Sequence, residues 1–172
     1  MRLNHNKGFT LIELLVVIAI IGLLSTIILV SLNTARTKAR DSKRLSDMHQ
    51  IILALEMYYS DNNTYPTRTA DSCCDGWDQG PCQSENTFID LLVSQGYMTT
   101  VPNDPAGGSG TGCYGYNYYR YGAGSYGCNS PFYVLGIRDM ETSGRPHSDS
   151  PGWSCPSRNW QNEFDWVTGG FE

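Results

Sequence analysis

Glu13 is the first residue whose type and place demand a chemical explanation. It is the one charge in an apolar run from Phe9 to Leu32. As a helix those twenty-four residues would rise ~36 Å, enough to cross a bilayer core of ~30 Å. A charge at the centre of such a helix costs about 2.5–3.5 kcal/mol, so this carboxylate needs an interfacial position or a cationic partner. The next reactive set is six cysteines: Cys73, Cys74, Cys82, Cys113, Cys128 and Cys155. None forms a C-x-x-C pair, which sets zinc and thioredoxin-like chemistry aside and favours a disulfide framework in an oxidising compartment. Fifteen pairings are open. Cys113 and Cys128 bracket a hairpin and are expected to pair. One of the adjacent Cys73 and Cys74 would then take Cys82, and the other Cys155. Asp139, Glu141 and Asp149 offer oxygen donors for Ca²⁺ without the spacing of a calcium motif; no other metal or cofactor is expected. Beyond the apolar run only His49 and His147 could act as bases, with no nucleophile elbow or metal-binding helix beside them, so the chain is not expected to be an enzyme.

Two unlike pieces must position these groups. The chain has 172 residues, 40% hydrophobic and 17% charged, a folding composition with room for one domain and an appendage. Its formal charge is −5, but seven of twelve cations lie at or before Arg44, while from Asp61 onward thirteen acids face five arginines. All eight prolines and sixteen of eighteen glycines fall after residue 60. No proline and only Gly22 interrupt residues 9–59, which predicts one helix ~77 Å long. Leu45, Met48, Ile52, Leu55 and Tyr59 recur at helical spacing, widened by Ile51 and Tyr58, as an amphipathic stem. Residues 60–63 (SDNN) end it. Thr87 can cap a short helix that Gly96 stops, with Phe88, Leu91 and Leu92 toward the core. Tyr114, Tyr116 and Tyr118 alternate as a strand, residues 122–127 turn, residues 132–137 (FYVLGI) return, and Trp166 to Thr168 offer a third strand. Residues 107–112 (GGSGTG) lack a lysine and a following helix, so they read as a loop, not a phosphate cradle. The eleven tyrosines and four tryptophans suit core packing, subunit contact or surface binding.

Gly8-Phe9-Thr10-Leu11-Ile12-Glu13 (GFTLIE), followed by the apolar residues 14–22, resembles the N-terminal signal of type IV pilins and type II secretion pseudopilins. The resemblance implies that a prepilin peptidase cuts after Gly8 and that Phe9 becomes the N-methylated first residue. It also implies that Glu13 neutralises the terminal amine of a neighbouring subunit during assembly. Such a pair attracts far more strongly in a low-dielectric bundle than in water. The implied fold is α+β, type IV pilin-like: a long N-terminal helix, membrane anchor plus amphipathic stem, packed on a small antiparallel sheet. The implied organisation is a leader peptide at 1–8, a transmembrane or filament-core helix at 9–32, a stem at 33–60 and an extracytoplasmic domain at 61–172. Many members carry a helix-breaking proline where Val30 stands here. Tyr65-Pro66, a short helix and then Pro102-Asn103-Asp104-Pro105 resemble the major pseudopilin, although Ala106-Gly107-Gly108 replaces the usual aromatic. That likeness also raises the calcium reading of Asp139, Glu141 and Asp149.

The function expected is a structural subunit of a type IV pilus-like filament. Its expected partners are identical or related subunits, prepilin peptidase, an inner-membrane assembly platform and, before assembly, the lipid bilayer. The alternatives are a pseudopilin of a type II secretion system and a membrane-anchored binding module that never polymerises. A signal peptide or plain single-span anchor leaves Glu13 unexplained. The stem cations Arg36, Lys38, Arg40, Lys43 and Arg44 suit a solvated face, anionic headgroups or acids of adjacent subunits. Attached to an acidic domain, they do not favour nucleic acid. They outnumber Arg2 and Lys7, which by the positive-inside rule would hold the stem in the cytoplasm. The cysteines and the signal place it outside. The expected state is a single-pass membrane protein with a cytoplasmic N-terminus, then an extracellular or periplasmic filament.

Overall fold

A computed structural model describes residues 8–67, 76–80, 88–106 and 115–172. Helix α1 runs Leu11–Asn62, 52 residues that include Val30, beginning two residues later and ending three later than the sequence pattern predicts. Contacts divide the chain after Thr37. In the N-terminal unit, the large apolar side chains from Phe9 to Leu32 are exposed.

In the unit Lys38–Glu172, α1 packs on a four-stranded antiparallel sheet ordered β1-β2-β3-β6. These strands are β1 Asp78–Gly80, β2 Tyr116–Tyr121, β3 Phe132–Ile137 and β6 Trp166–Phe171. A helix α2, Asp90–Ser94, precedes β2, and a small hairpin of β4 Ser154–Cys155 and β5 Arg158–Asn159 precedes β6. The architecture is therefore α+β, a long N-terminal helix on a small antiparallel sheet, as the resemblance implies. Strand β3 has its predicted limits and sits at the centre, with Tyr118 and Thr168 both opposite Leu135. Strand β6 runs three residues past Thr168, and β1, only three residues long, is too short to show a period of two.

The alternation of side chains along the strands builds two cores rather than one. Tyr116, Tyr118, Tyr133, Leu135, Ile137 and Trp166 face α1 and α2, where they meet Met48, Ile51, Leu55, Tyr58, Phe88 and Leu92. Phe132, Val134 and Val167 point the other way, to Trp77, Trp160 and Phe164. Each large apolar side chain so buried contributes about 1.5–3 kcal/mol. Gly136 is what lets the second layer close on β3, because a Cβ there would overlap the Phe164 ring. On α1 the fully buried line passes through Met48, Ile51, Leu55 and Tyr58, with Leu45, Ile52 and Tyr59 only partly buried. The line continues through Asp41, Arg44 and Asp47, charged residues that a hydropathy stripe does not count.

Three expectations are corrected. Cys128 bonds Cys155, with Cα atoms 5.4 Å apart, so Cys113 does not pair with Cys128 and Cys155 does not pair with Cys73 or Cys74. The cause is non-local. The turn after β2 lies against the β4–β5 hairpin, where the Ser157 N–H donates to the Tyr126 carbonyl at 3.1 Å, and sequence proximity carries no sign of that contact. Helix α2 begins at Asp90 rather than after Thr87. Its N-cap is Ile89, at φ 44°, and the Ile89 N–H donates to Asp78 Oδ2 at 3.0 Å, so β1 holds the helix start. Gly96, at φ 83°, stops α2 as predicted, with the Tyr97 N–H on the Leu92 carbonyl at 2.8 Å. The sheet has four strands where three were expected, and both its faces are covered. Cys73, Cys74, Cys82, Cys113, Thr87, Tyr114 and residues 107–112 lie outside the described residues.

Candidate functional site

Gly8, Phe9 and Thr10 are exposed and precede the first turn of α1. The chain has Thr10-x-x-Glu13 at this point, and the two residues close a capping box. The Thr10 N–H donates to Glu13 Oε2 at 2.9 Å, the Thr10 hydroxyl donates to the same oxygen at 2.8 Å, and the Glu13 N–H donates back to the hydroxyl at 3.3 Å. A negative charge in the first turn also suits the positive end of the helix dipole. Glu13 Oε1 takes no hydrogen bond among the described residues. One oxygen of the carboxylate thus caps its own helix while the other remains open to a cation. T-x-x-E ahead of an apolar run is the sequence signal for the first use, and an isolated acid in that run for the second.

The stem cations divide into two groups. Arg36 and Lys38 are exposed and make no ion pair among the described residues. The other three are paired with acids of the same unit. Arg44 is 2% exposed; its Nε and Nη2 donate to Asp104 Oδ2 and Oδ1 at 2.7 and 2.9 Å, and its Nη1 reaches Asp41 at 2.6 Å and Glu141 at 2.9 Å. Arg40 forms a forked pair with Glu141. Lys43 Nζ lies 2.6 Å from Asp47, which also accepts the Tyr116 hydroxyl at 2.7 Å. Burial alone would push the Arg44 guanidinium down; hydrogen bonds and charge from Asp104, with Asp41 and Glu141, outweigh it and hold the group above its ordinary value. Burial would likewise raise Asp41, but the Glu141 and Thr142 amides, the Thr142 hydroxyl and Arg44 hold it below its ordinary value. The Arg40 bond, then Arg44, do the same for Glu141 against burial. The Tyr116 hydroxyl is raised by burial and by Asp47. Asp104 gives the Pro-Asn-Asp-Pro segment a stated role: it is the carboxylate that receives Arg44.

Asp139, Glu141 and Asp149 are not brought together. Among the described residues no three His, Cys, Asp or Glu are placed to hold a metal ion. His49 is exposed, and His147 Nδ1 accepts the Asp149 N–H at 3.0 Å. Trp77, Trp160 and Trp166 are buried and Trp153 is half-buried, so the tryptophans build the two cores.

A helix long and apolar enough to cross a membrane, a capped first turn with one open carboxylate oxygen, and an α+β unit on its stem define a pilin-like class of protein. The comparisons agree. The family described as the prokaryotic N-terminal methylation motif matches residues 3–29. The type II secretion system core protein G of Pseudomonas aeruginosa is 30% identical over 156 residues, covering 89% of this chain and 99% of that protein. The core protein G of Aeromonas hydrophila is 32% identical over 120 residues, covering 62% and 72%. The type IV wide pilus major component of Thermus thermophilus is 41% identical over 68 residues, covering 40% and 52%. No solved structure matches. The chain belongs to the family of type IV pilins and type II secretion pseudopilins.

Proposed function

We propose that this chain is a structural subunit of a type IV pilus-like filament, cut by prepilin peptidase between Gly8 and Phe9, N-methylated at Phe9 and assembled through its N-terminal helix. The observation that carries this reading is the start of α1, where exposed apolar side chains surround a single carboxylate with one oxygen open. A helix with that surface is stable in lipid or against copies of itself, and an ammonium from a neighbouring Phe9 would complete the charge in either setting. Before assembly the helix spans the inner membrane with its N-terminus in the cytoplasm, and an assembly platform there draws subunits into an extracellular or periplasmic filament. The relatives named for a pilus and for a secretion system core point to structural parts, and no catalytic role is proposed.

The second reading is a pseudopilin of a type II secretion system, favoured by the likeness to core protein G over 89% of the chain. Intact mass of the protein from sheared surface material and from membranes of the native host tests both. Sheared protein that starts at Phe9 with one added methyl supports the pilus subunit. The same species confined to the membrane fraction supports the pseudopilin. An uncut chain starting at Met1 overturns both and leaves an anchored module that never polymerises.

A further inference from the structure

We infer that arginines of the stem, not a divalent cation, tie the Pro102–Pro105 segment and the loop after β3 to α1, so that the domain is indifferent to calcium. This stands apart from the filament reading and does not rest on it.

The donor set does not suit Ca²⁺. That ion takes six to eight oxygens at about 2.3–2.6 Å. Of the three acids in question, Glu141 has both oxygens engaged: Oε1 by Arg40 Nε at 2.7 Å and Arg44 Nη1 at 2.9 Å, and Oε2 by Arg40 Nη2. Asp149 is used within its own turn, where Oδ1 accepts the Ser148 hydroxyl at 3.3 Å and the carbonyl accepts the Trp166 indole at 3.0 Å. Asp139 faces the charge of Asp165, whose own oxygens take Arg145 Nε and the Met140 N–H, each at 2.8 Å. At Glu141 a calcium ion would have to displace two guanidinium groups that are already paired, and among the described residues no three such acids gather to hold it.

Arg44 performs the linking that a metal would perform. Its three nitrogens bind Asp41 on α1, Asp104 in the Pro102–Pro105 segment and Glu141 after β3. Two of these carboxylates also fix backbone: Asp104 Oδ1 accepts the Ala106 N–H at 2.8 Å, and Asp41 accepts the Glu141 and Thr142 N–H groups at 3.0 and 2.7 Å. A guanidinium offers five donors in a rigid fork, and a chelator cannot remove it.

The test is thermal unfolding and amide exchange of the full chain in detergent, in excess chelator and in millimolar Ca²⁺. The two wild-type melting curves should superimpose. Arg44→Ala should lower the midpoint by roughly 10 °C, and Arg44→Lys by less, with faster exchange at the Ala106, Glu141 and Thr142 amides. A wild-type midpoint that falls in chelator and returns with Ca²⁺ would overturn the inference. So would Arg44 variants whose three amides exchange no faster than wild type. If Arg44→Ala does not fold, Arg40→Gln replaces it, since Arg40 is partly exposed and among the described residues hydrogen-bonds to Glu141 alone; it should speed exchange at Glu141 and Thr142 but not at Ala106.

Discussion

Glu13 and Arg44 are both charges carried by α1, and they meet their need for counter-charge in opposite ways. Arg44 is enclosed by three carboxylates of its own chain. Among the described residues Glu13 has only the cap of its own helix, and one of its oxygens takes no hydrogen bond. A charge satisfied inside the chain serves folding, because removing it strands its partners in a low-dielectric interior. A charge satisfied only in part keeps capacity that a second molecule could meet, which is the use proposed for Glu13. The same distinction bears on topology. Three of the five cations after the apolar run are paired within the fold, so Arg36 and Lys38, without an ion pair among the described residues, match Arg2 and Lys7 in number.

The largest effect should come from breaking the external half of this pair. Glu13→Ala is expected to abolish filaments in the sheared fraction while leaving the melting midpoint of the detergent-solubilised chain unchanged. Glu13→Val is a weaker test, since it also improves retention in lipid. Filaments from Glu13→Ala at wild-type yield would mean that the open oxygen has no part in assembly.

The internal half has a second support besides Arg44. The Cys128–Cys155 bond closes a loop with a sequence separation of 27 and fastens the second core onto the sheet. Chain-entropy reasoning puts its loss at about 3.5 kcal/mol, or roughly 10 °C for a chain of this size. Replacing both cysteines by serine should lower the midpoint by that amount in a thermal melt. An unchanged midpoint would mean that aromatic packing alone holds the second face.

A smaller and graded effect should appear on acidification. Asp41, Glu141 and Glu172 are all held below their ordinary values of 3.8, 4.5 and 4.5. For Glu172, burial acts against the shift, and Arg120, the Tyr65 amide and the Thr64 hydroxyl overcome it. A depressed carboxyl contributes stability above its unfolded pKa and loses it as pH falls through the folded one. The midpoint should therefore hold steady down to about pH 5 and decline from there. Asp139, raised by burial and by Asp165, is relieved on protonation and offsets part of the decline. The Asp41→Asn and Glu141→Gln double variant should flatten the profile; a slope equal to wild type would place the acid sensitivity elsewhere.

What the sequence disclosed follows from which interactions are local. The uninterrupted helix, β3, the stop at Gly96 and the special status of Glu13 each leave a mark within a few residues. The capping box is legible too, in Thr10 three residues ahead of Glu13. Arg44 was not legible as a buried group, because its partners Asp104 and Glu141 are 60 and 97 residues away and a run of cations reads as a solvated face. The disulfide failed for the same reason. Cys113 and Cys128 are close in sequence, whereas Cys128 meets Cys155 in the second core, beside Trp160 and Phe164, 27 residues on.

The finest division lies within Glu13 itself, between the oxygen that caps and the oxygen that stays open. Thr10→Ala removes the hydroxyl bond to Oε2 and the returning bond from the Glu13 N–H, and leaves the Thr10 backbone N–H in place. A lost N-terminal cap costs about 1 kcal/mol, which corresponds to about fivefold faster exchange of the first-turn amides in detergent. Those amides include Leu14, which donates to the Thr10 carbonyl at 3.3 Å. The carboxylate keeps its charge and its open oxygen, so filaments should still form, with a far smaller loss than for Glu13→Ala. If Thr10→Ala instead abolishes filaments as completely as Glu13→Ala, the two oxygens cannot be separate in function. The cap would then orient the carboxylate for its neighbour, and Glu13 would depend on its own chain for position as Arg44 does.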